Sequence, residues 1–111
     1  MKIQNIDKAV VSPDKIKNYL LSLSHPVGRF KAIYFNKLGY SLDNWEMLVD
    51  AFVDILHNNK PKKLIKTDFV VKYEVSGKIN GKQNKRYKII TVWIIIKGTN
   101  YPKFITAYPG E

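Results

Sequence analysis

Apolar residues recur at helical spacing through the first half of the chain and alternate through the second. Ile16, Tyr19, Leu20 and Leu23 predict an amphipathic helix over about 13–23. Ser12 stands at its N-cap, Pro13 at its first helical position, and Asp14 suits the positive end of the helix dipole. Ser24-His25-Pro26 interrupts the pattern, because Pro26 disfavours helical geometry at His25 and is well placed to open a new helix. Val27, Phe30, Tyr34 and Leu38 then form a stripe and Gly39 closes it, predicting a helix over about 26–38. A third helix over about 41–58, capped by Ser41, carries Leu42, Trp45, Val49, Phe52 and Leu56 on one face. Residues 1–11 alternate loosely, as a short edge strand or extended arm would. Lys60–Lys66 reads as a charged connection.

The period changes at Asp68. Phe69, Val71, Tyr73 and Val75 alternate with Val70, Lys72 and Glu74, predicting a half-buried strand over about 68–77. Gly77–Lys85, with Asn80-Gly81 inside it, reads as a hairpin loop. The stretch 86–97 is almost unbroken apolar and β-branched, the pattern of a strand covered on both faces. A last strand spans about 103–108. Helices followed by an antiparallel sheet make one α+β domain over residues 1–111. Alternation sorts the central strand into Tyr87, Ile89, Thr91, Trp93 and Ile95 on one face and Lys88, Ile90, Val92, Ile94 and Ile96 on the other. The aliphatic set is expected to pack under the helices and the Thr/Trp set to face a ligand. In the last strand Phe104, Thr106 and Tyr108 are expected to share a face.

Charge adds a functional direction. The net is +10, and it is uneven. Residues 1–59 hold seven Lys/Arg against six Asp/Glu, whereas residues 60–111 hold twelve against three. A positive field on the sheet half fits a polyanion, chiefly RNA, or an acidic protein partner. A merely solvated lysine-rich surface is the plainer reading, since seventeen of the nineteen cations are Lys. No apolar run is long enough to span a membrane and no signal core precedes Ser12, which points to a cytoplasmic protein. Without cysteine there is no disulfide framework and no thiolate metal site.

Nothing in the sequence resembles a phosphate-binding Gly-rich loop, and the Asp50/Asp54 pair is too little for a metal site without further ligands. No metal and no cofactor is expected. His57, in an Asn-rich helix end, reads as a C-terminal cap. His25 is the residue type that titrates nearest neutrality. A reaction needing no metal or thiol is RNA cleavage by attack of the 2′-OH on the adjacent phosphate; it requires a proton acceptor, a proton donor and cations. The expected catalytic set is His25, Arg86, Thr106 and Tyr108. Arg29, Lys31, Lys72, Lys88, Thr91 and Trp93 are expected to bind the RNA, by cationic contact, hydroxyl bonding and base stacking.

Several short segments carry a family resemblance: Ala9-Val10-Val11, 15–21, His25-Pro26, Gly28, Lys31-Ala32, Phe35, Leu38-Gly39, Trp45, Thr91-Val92-Trp93-Ile94 and Thr106-Ala107-Tyr108-Pro109. Together they resemble an uncharacterised bacterial domain family of unknown function, found alone or at the C-terminal ends of polymorphic toxins. Helices ahead of a sheet that ends in Thr-x-Tyr-Pro are also similar to the barnase–EndoU–colicin–RelE superfamily of metal-independent ribonucleases. The resemblance implies an endoribonuclease toxin held in check by an acidic antitoxin or immunity protein. It assigns no general base, since Glu74 is placed on an outer strand and Glu46 on a helix. The alternative is a non-catalytic basic module that binds nucleic acid or an acidic partner.

Overall fold

The computed structural model describes residues 3–110. Pro13 does open the first helix, α1 (Pro13–Lys15), which continues directly as a π-helical segment, Ile16–Leu20. The widened turn is closed by the Leu21 amide donating to the Ile16 carbonyl at 2.8 Å. It brings Leu20 and Leu21 into the core beside Ile16 and leaves Leu23 mostly exposed. Ser12 occupies the N-cap position but makes no capping bond through its side chain.

Helix α2 (Arg29–Leu38) starts later than Pro26, because residues 26–28 form a turn held by His25. Its buried face is Ala32, Phe35 and Leu38, so Val27 and Phe30, expected inside, stand 61% and 65% exposed. Gly39 ends it at φ 106°, a left-handed conformation that glycine adopts without strain. Ser41 caps a 3₁₀ turn, Leu42–Asn44, with a reciprocal bond from its own amide to the Asn44 side chain. Helix α3 (Trp45–Asn58) follows and buries Leu48, Phe52, Ile55 and Leu56.

Four antiparallel strands form one meander in the order β1-β2-β3-β4. They are β1 (Pro61–Lys66), β2 (Val70–Asn80), β3 (Arg86–Ile96) and β4 (Lys103–Pro109). The segment expected as a charged loop is therefore an edge strand; its lysines are the usual protection of an exposed sheet edge. The β2–β3 strands run further than expected, leaving a short turn with positive φ at Gln83 and Asn84 rather than at Asn80-Gly81. In the N-terminal arm, Ile6–Lys8 forms a 3₁₀ turn and Val10 makes a parallel bridge to Lys103; residues 1 and 2 lie outside the described chain.

Helix α3 covers one face of the sheet. Phe52 stacks on Phe104 (centroids 5.0 Å, planes 12° apart), Trp93 meets Phe104 edge-on, and Phe35 meets Phe52 edge-on. The covered face of β3 is the Ile89, Thr91, Trp93 set, the reverse of the sequence expectation. The polar atoms on that face satisfy one another: Trp93 Nε1 donates to Thr91 Oγ1 at 2.8 Å, and Thr91 Oγ1 donates to the Val75 carbonyl at 2.7 Å. Thr91 and Trp93, expected to bind RNA, are fully buried as core residues. The face with Ile90, Val92 and Ile94 lies away from α3. A β-bulge at Ile105 splits the last strand, turning Phe104 into the core while Thr106 and Tyr108 share the opposite face with Val92 and Ile90.

Candidate functional site

The π-helical turn, the 25–28 turn, the first turn of α2 and strand β4 meet at one place. Lys31 Nζ donates to Tyr19 Oη at 2.8 Å and to Thr106 Oγ1 at 2.7 Å. This joins residues 12 and 75 positions apart in the chain through one ammonium group. His25 meets the Tyr19 ring edge-on at 5.1 Å between centroids. All four side chains are half-buried, so they are held in place yet open to a ligand.

Local backbone chemistry fixes each of them. His25 Nδ1 accepts the amides of Val27 at 3.0 Å and Gly28 at 2.9 Å. With Nδ1 acting as acceptor, the ring proton of the neutral imidazole sits on Nε2. Gly28 lies directly against Tyr19: a Cβ there would fall 2.0 Å from the Tyr19 carbonyl oxygen. Only glycine allows this approach, and it brings His25 beside Tyr19. Gly28→Ala is expected to displace the 25–28 turn and lower stability by about 1–3 kcal/mol. Thermal melts and the loss of the His25–Tyr19 nuclear Overhauser contact check this.

The phenol of Tyr19 feels opposing forces. Burial raises its pKa, but hydrogen bonds from Lys31 and Thr106 and the charges of Lys31 and Lys15 outweigh burial and leave it below the usual 10.0. Lys31→Met is expected to move that titration upward, measurable as phenolate absorbance against pH. On the same sheet face Tyr108 donates to Glu74 Oε2 at 3.4 Å. Burial and the adjacent Glu74 carboxylate push Tyr108 above the usual value, so it keeps its proton more firmly. Tyr34 and Tyr40 are also raised, chiefly by burial. Above pH about 10 the unfolded chain sheds protons that these three folded tyrosines keep, so stability is expected to fall as pH rises there. Tyr19 contributes with the opposite sign between its lowered value and 10.

Glu74 and Thr106 are the partners of Val92 on either side of it, which sets their backbones about 10 Å apart across the sheet. Tyr108, beside Ile90, lies one row along. The structure therefore gathers Lys31, Thr106 and His25 around Tyr19, and places Tyr108 with Glu74 on the adjoining sheet surface. Lys72 flanks this surface, two residues from Glu74 on the same face. Arg86 and Lys88 lie toward the β2–β3 hairpin instead, at a separate cavity. Arg29 is exposed, with its guanidinium 4.8 Å from the Phe30 ring centre. His57, in the last turn of α3, approaches Asp7 at 3.8 Å.

Tyr19 and Glu74 were not singled out by sequence reasoning. Tyr19 was hidden because it fits an apolar helical stripe; a π-turn, frequent at functional sites, redirects it. Glu74 stands on the second strand of the sheet rather than an outer one, since β1 lies outside it. Among the described residues no three His, Cys, Asp or Glu side chains are grouped closely enough to hold a metal ion. Among the described residues no helix is long and apolar enough to cross a membrane.

Comparison with known proteins places the sequence. The profile of a domain of unknown function, DUF6883, matches residues 2–111. The chain belongs to the DUF6883 family. No curated protein matches it. A chain of the contact-dependent growth inhibition toxin–immunity protein complex from Klebsiella pneumoniae 342 superposes with a TM-score of 0.70. It shares 21% sequence identity, covering 96% of this chain and 97% of its own length. At that identity the likeness establishes the fold of this DUF6883 domain.

Proposed function

We propose that this DUF6883 domain is the toxin of a toxin–immunity pair and cleaves RNA without a metal, in the cytoplasm of the target cell. The observation that carries the proposal is the Lys31 ammonium, held between the Tyr19 phenol and the Thr106 hydroxyl beside His25. A fixed cation with two hydroxyls suits the charge that develops on a phosphorane. The fold shared with a chain of a toxin–immunity complex supports the toxin assignment. The basic surface supports both RNA as substrate and an acidic immunity protein as partner.

The side chains are assigned as follows. Glu74 takes the proton of the ribose 2′-OH as the 2′-oxygen bonds to phosphorus. Lys31, Thr106 and Tyr108 hold the non-bridging oxygens. The bond from phosphorus to the 5′-oxygen breaks, and that oxygen takes the phenolic proton of Tyr19, whose anion is supported by Lys31. His25 donates a hydrogen bond from Nε2 to the phosphate rather than shuttling a proton. The products carry a 2′,3′-cyclic phosphate and a 5′-hydroxyl; Glu74 then releases its proton to water as Tyr19 regains one from it, restoring both groups.

Expression in bacteria tests the toxin reading. The wild-type chain is expected to arrest growth, with Tyr19→Phe and Tyr108→Phe relieving the arrest while remaining folded. Tyr19→Phe removes the proton donor and is expected to slow cleavage ~100- to 10,000-fold. Unchecked growth under wild-type expression contradicts the toxin reading. Tight RNA binding with the RNA left intact favours the non-catalytic basic module instead.

A further inference from the structure

A second cationic site lies away from Lys31. The notch between the C-terminal end of α3 and the β2–β3 hairpin is a cavity of ≈ 480 Å³ whose lining includes Asn58, Asn59, Lys78, Arg86 and Lys88. Lys78 and Lys88 are direct partners in the β2–β3 register. Like charges opposite one another destabilise a strand pair. Arg86, in the row after Lys88, makes one long bond, to the Lys78 carbonyl at 3.4 Å. Among the described residues none of these three cations forms an ion pair. Among the described residues Asp54 is the one carboxylate lining the cavity, on the exposed flank of α3. Lys78 and Arg86 also line the adjoining cavity with Asp50 and Asp54, yet neither carboxylate comes within ion-pair distance among the described residues, and a bound polyanion would offset the repulsion.

Register connects the notch to the proposed reaction centre. Arg86 and Lys88 precede Ile90 and Val92 on β3, where Ile90 pairs with Tyr108 and Val92 with Thr106, while the Arg86 guanidinium turns to the Lys78 carbonyl at the rim nearest α3. Arg86 thus lies about 13 Å along the strand from the Tyr108 row, and Lys88 about 7 Å. We infer that Lys78, Arg86 and Lys88 hold the phosphodiester backbone of the RNA about one to two nucleotides from the bond that is cut. The preferred substrate is then an RNA chain rather than a dinucleotide. The identity of the bound polymer rests on the nuclease reading; the binding measurement below does not depend on cleavage.

The test is the triple variant Lys78→Gln, Arg86→Gln, Lys88→Gln against the wild-type chain. All three side chains are exposed and the variant relieves their mutual repulsion, so it is expected to melt at the wild-type temperature or slightly above it. The probes are a fluorescein-labelled single-stranded RNA of about 20 nucleotides, a dinucleoside monophosphate and polyglutamate. Affinity for the RNA is expected to fall roughly 10- to 100-fold at ~100 mM salt. The slope of log affinity against log salt should flatten by about 2, the value for three phosphates on a single strand. Dinucleotide cleavage should be unchanged. Equal RNA affinity and equal slope in the two proteins overturn the inference. So does an equal loss for polyglutamate, which assigns the notch to an acidic protein. Weakened RNA binding when the wild type cleaves neither substrate upholds the notch and refutes the nuclease reading.

Discussion

Replacing Lys31 by Met is expected to lower RNA cleavage by ~100- to 1,000-fold while leaving the fold intact. The magnitude is that of removing one preorganised donor from the charge developing in a transition state. Lys31 is half-buried and bonds only side-chain oxygens in the described structure, Tyr19 Oη and Thr106 Oγ1. With both oxygens half-exposed, water can replace the ammonium at a stability cost of about 0–1 kcal/mol. Two effects should therefore separate: kcat falls, and the melting temperature hardly moves. Lys31→Arg keeps the charge but spreads it over a planar fork, and is expected to recover only part of the loss. Cleavage by Lys31→Met at the wild-type rate would remove the cation from the mechanism.

Thr91→Val is expected to do the opposite. Thr91 is fully buried, accepting from Trp93 Nε1 and donating to the Val75 carbonyl. Valine fills the space but leaves the indole N–H without its acceptor in a site that excludes water. The carbonyl loses one of its donors as well. Unsatisfied buried groups of this kind cost ~1–3 kcal/mol each, so a total loss of about 2–4 kcal/mol is expected in urea unfolding. Cleavage per folded molecule should stay near the wild-type value. Lost activity at unchanged stability would instead return Thr91 to a ligand-binding role.

The fold was largely legible because the periodicities are strong. Helical spacing places three helical regions ahead of alternating strands, and the structure has that order. Where pattern and structure differ, tertiary packing overrules local pattern. Lys62, Lys63 and Lys66 disguise β1, because an edge strand exposed to solvent needs no apolar alternation. Along β3 both faces look apolar, so sequence cannot say which one meets α3. The Thr91 and Trp93 side chains looked functional because the bond between them is invisible until the strand is folded. The bulge at Ile105, which separates Phe104 from Thr106, leaves no mark of its own in the sequence.

The site was legible in part for the same reasons. His25, Lys31 and Thr106 were singled out by residue type and position, and the structure brings them together around Tyr19. Arg86 looked equally suited, but strand pairing carries it toward the hairpin and away from Thr106. Tyr19 could have been found only by recognising that the helix widens after Lys15, a feature set by how Ile16, Leu20 and Leu21 pack.

The most direct measurement is incubation of purified protein with RNA in excess EDTA, with mass spectrometry of the new termini. Cleavage is expected to persist without free metal, to leave fragments ending in a 2′,3′-cyclic phosphate opposite a 5′-hydroxyl, and to fall ~100-fold or more in Lys31→Met. RNA that stays intact with the wild-type chain, or cleavage that Lys31→Met performs equally well, would contradict this mechanism.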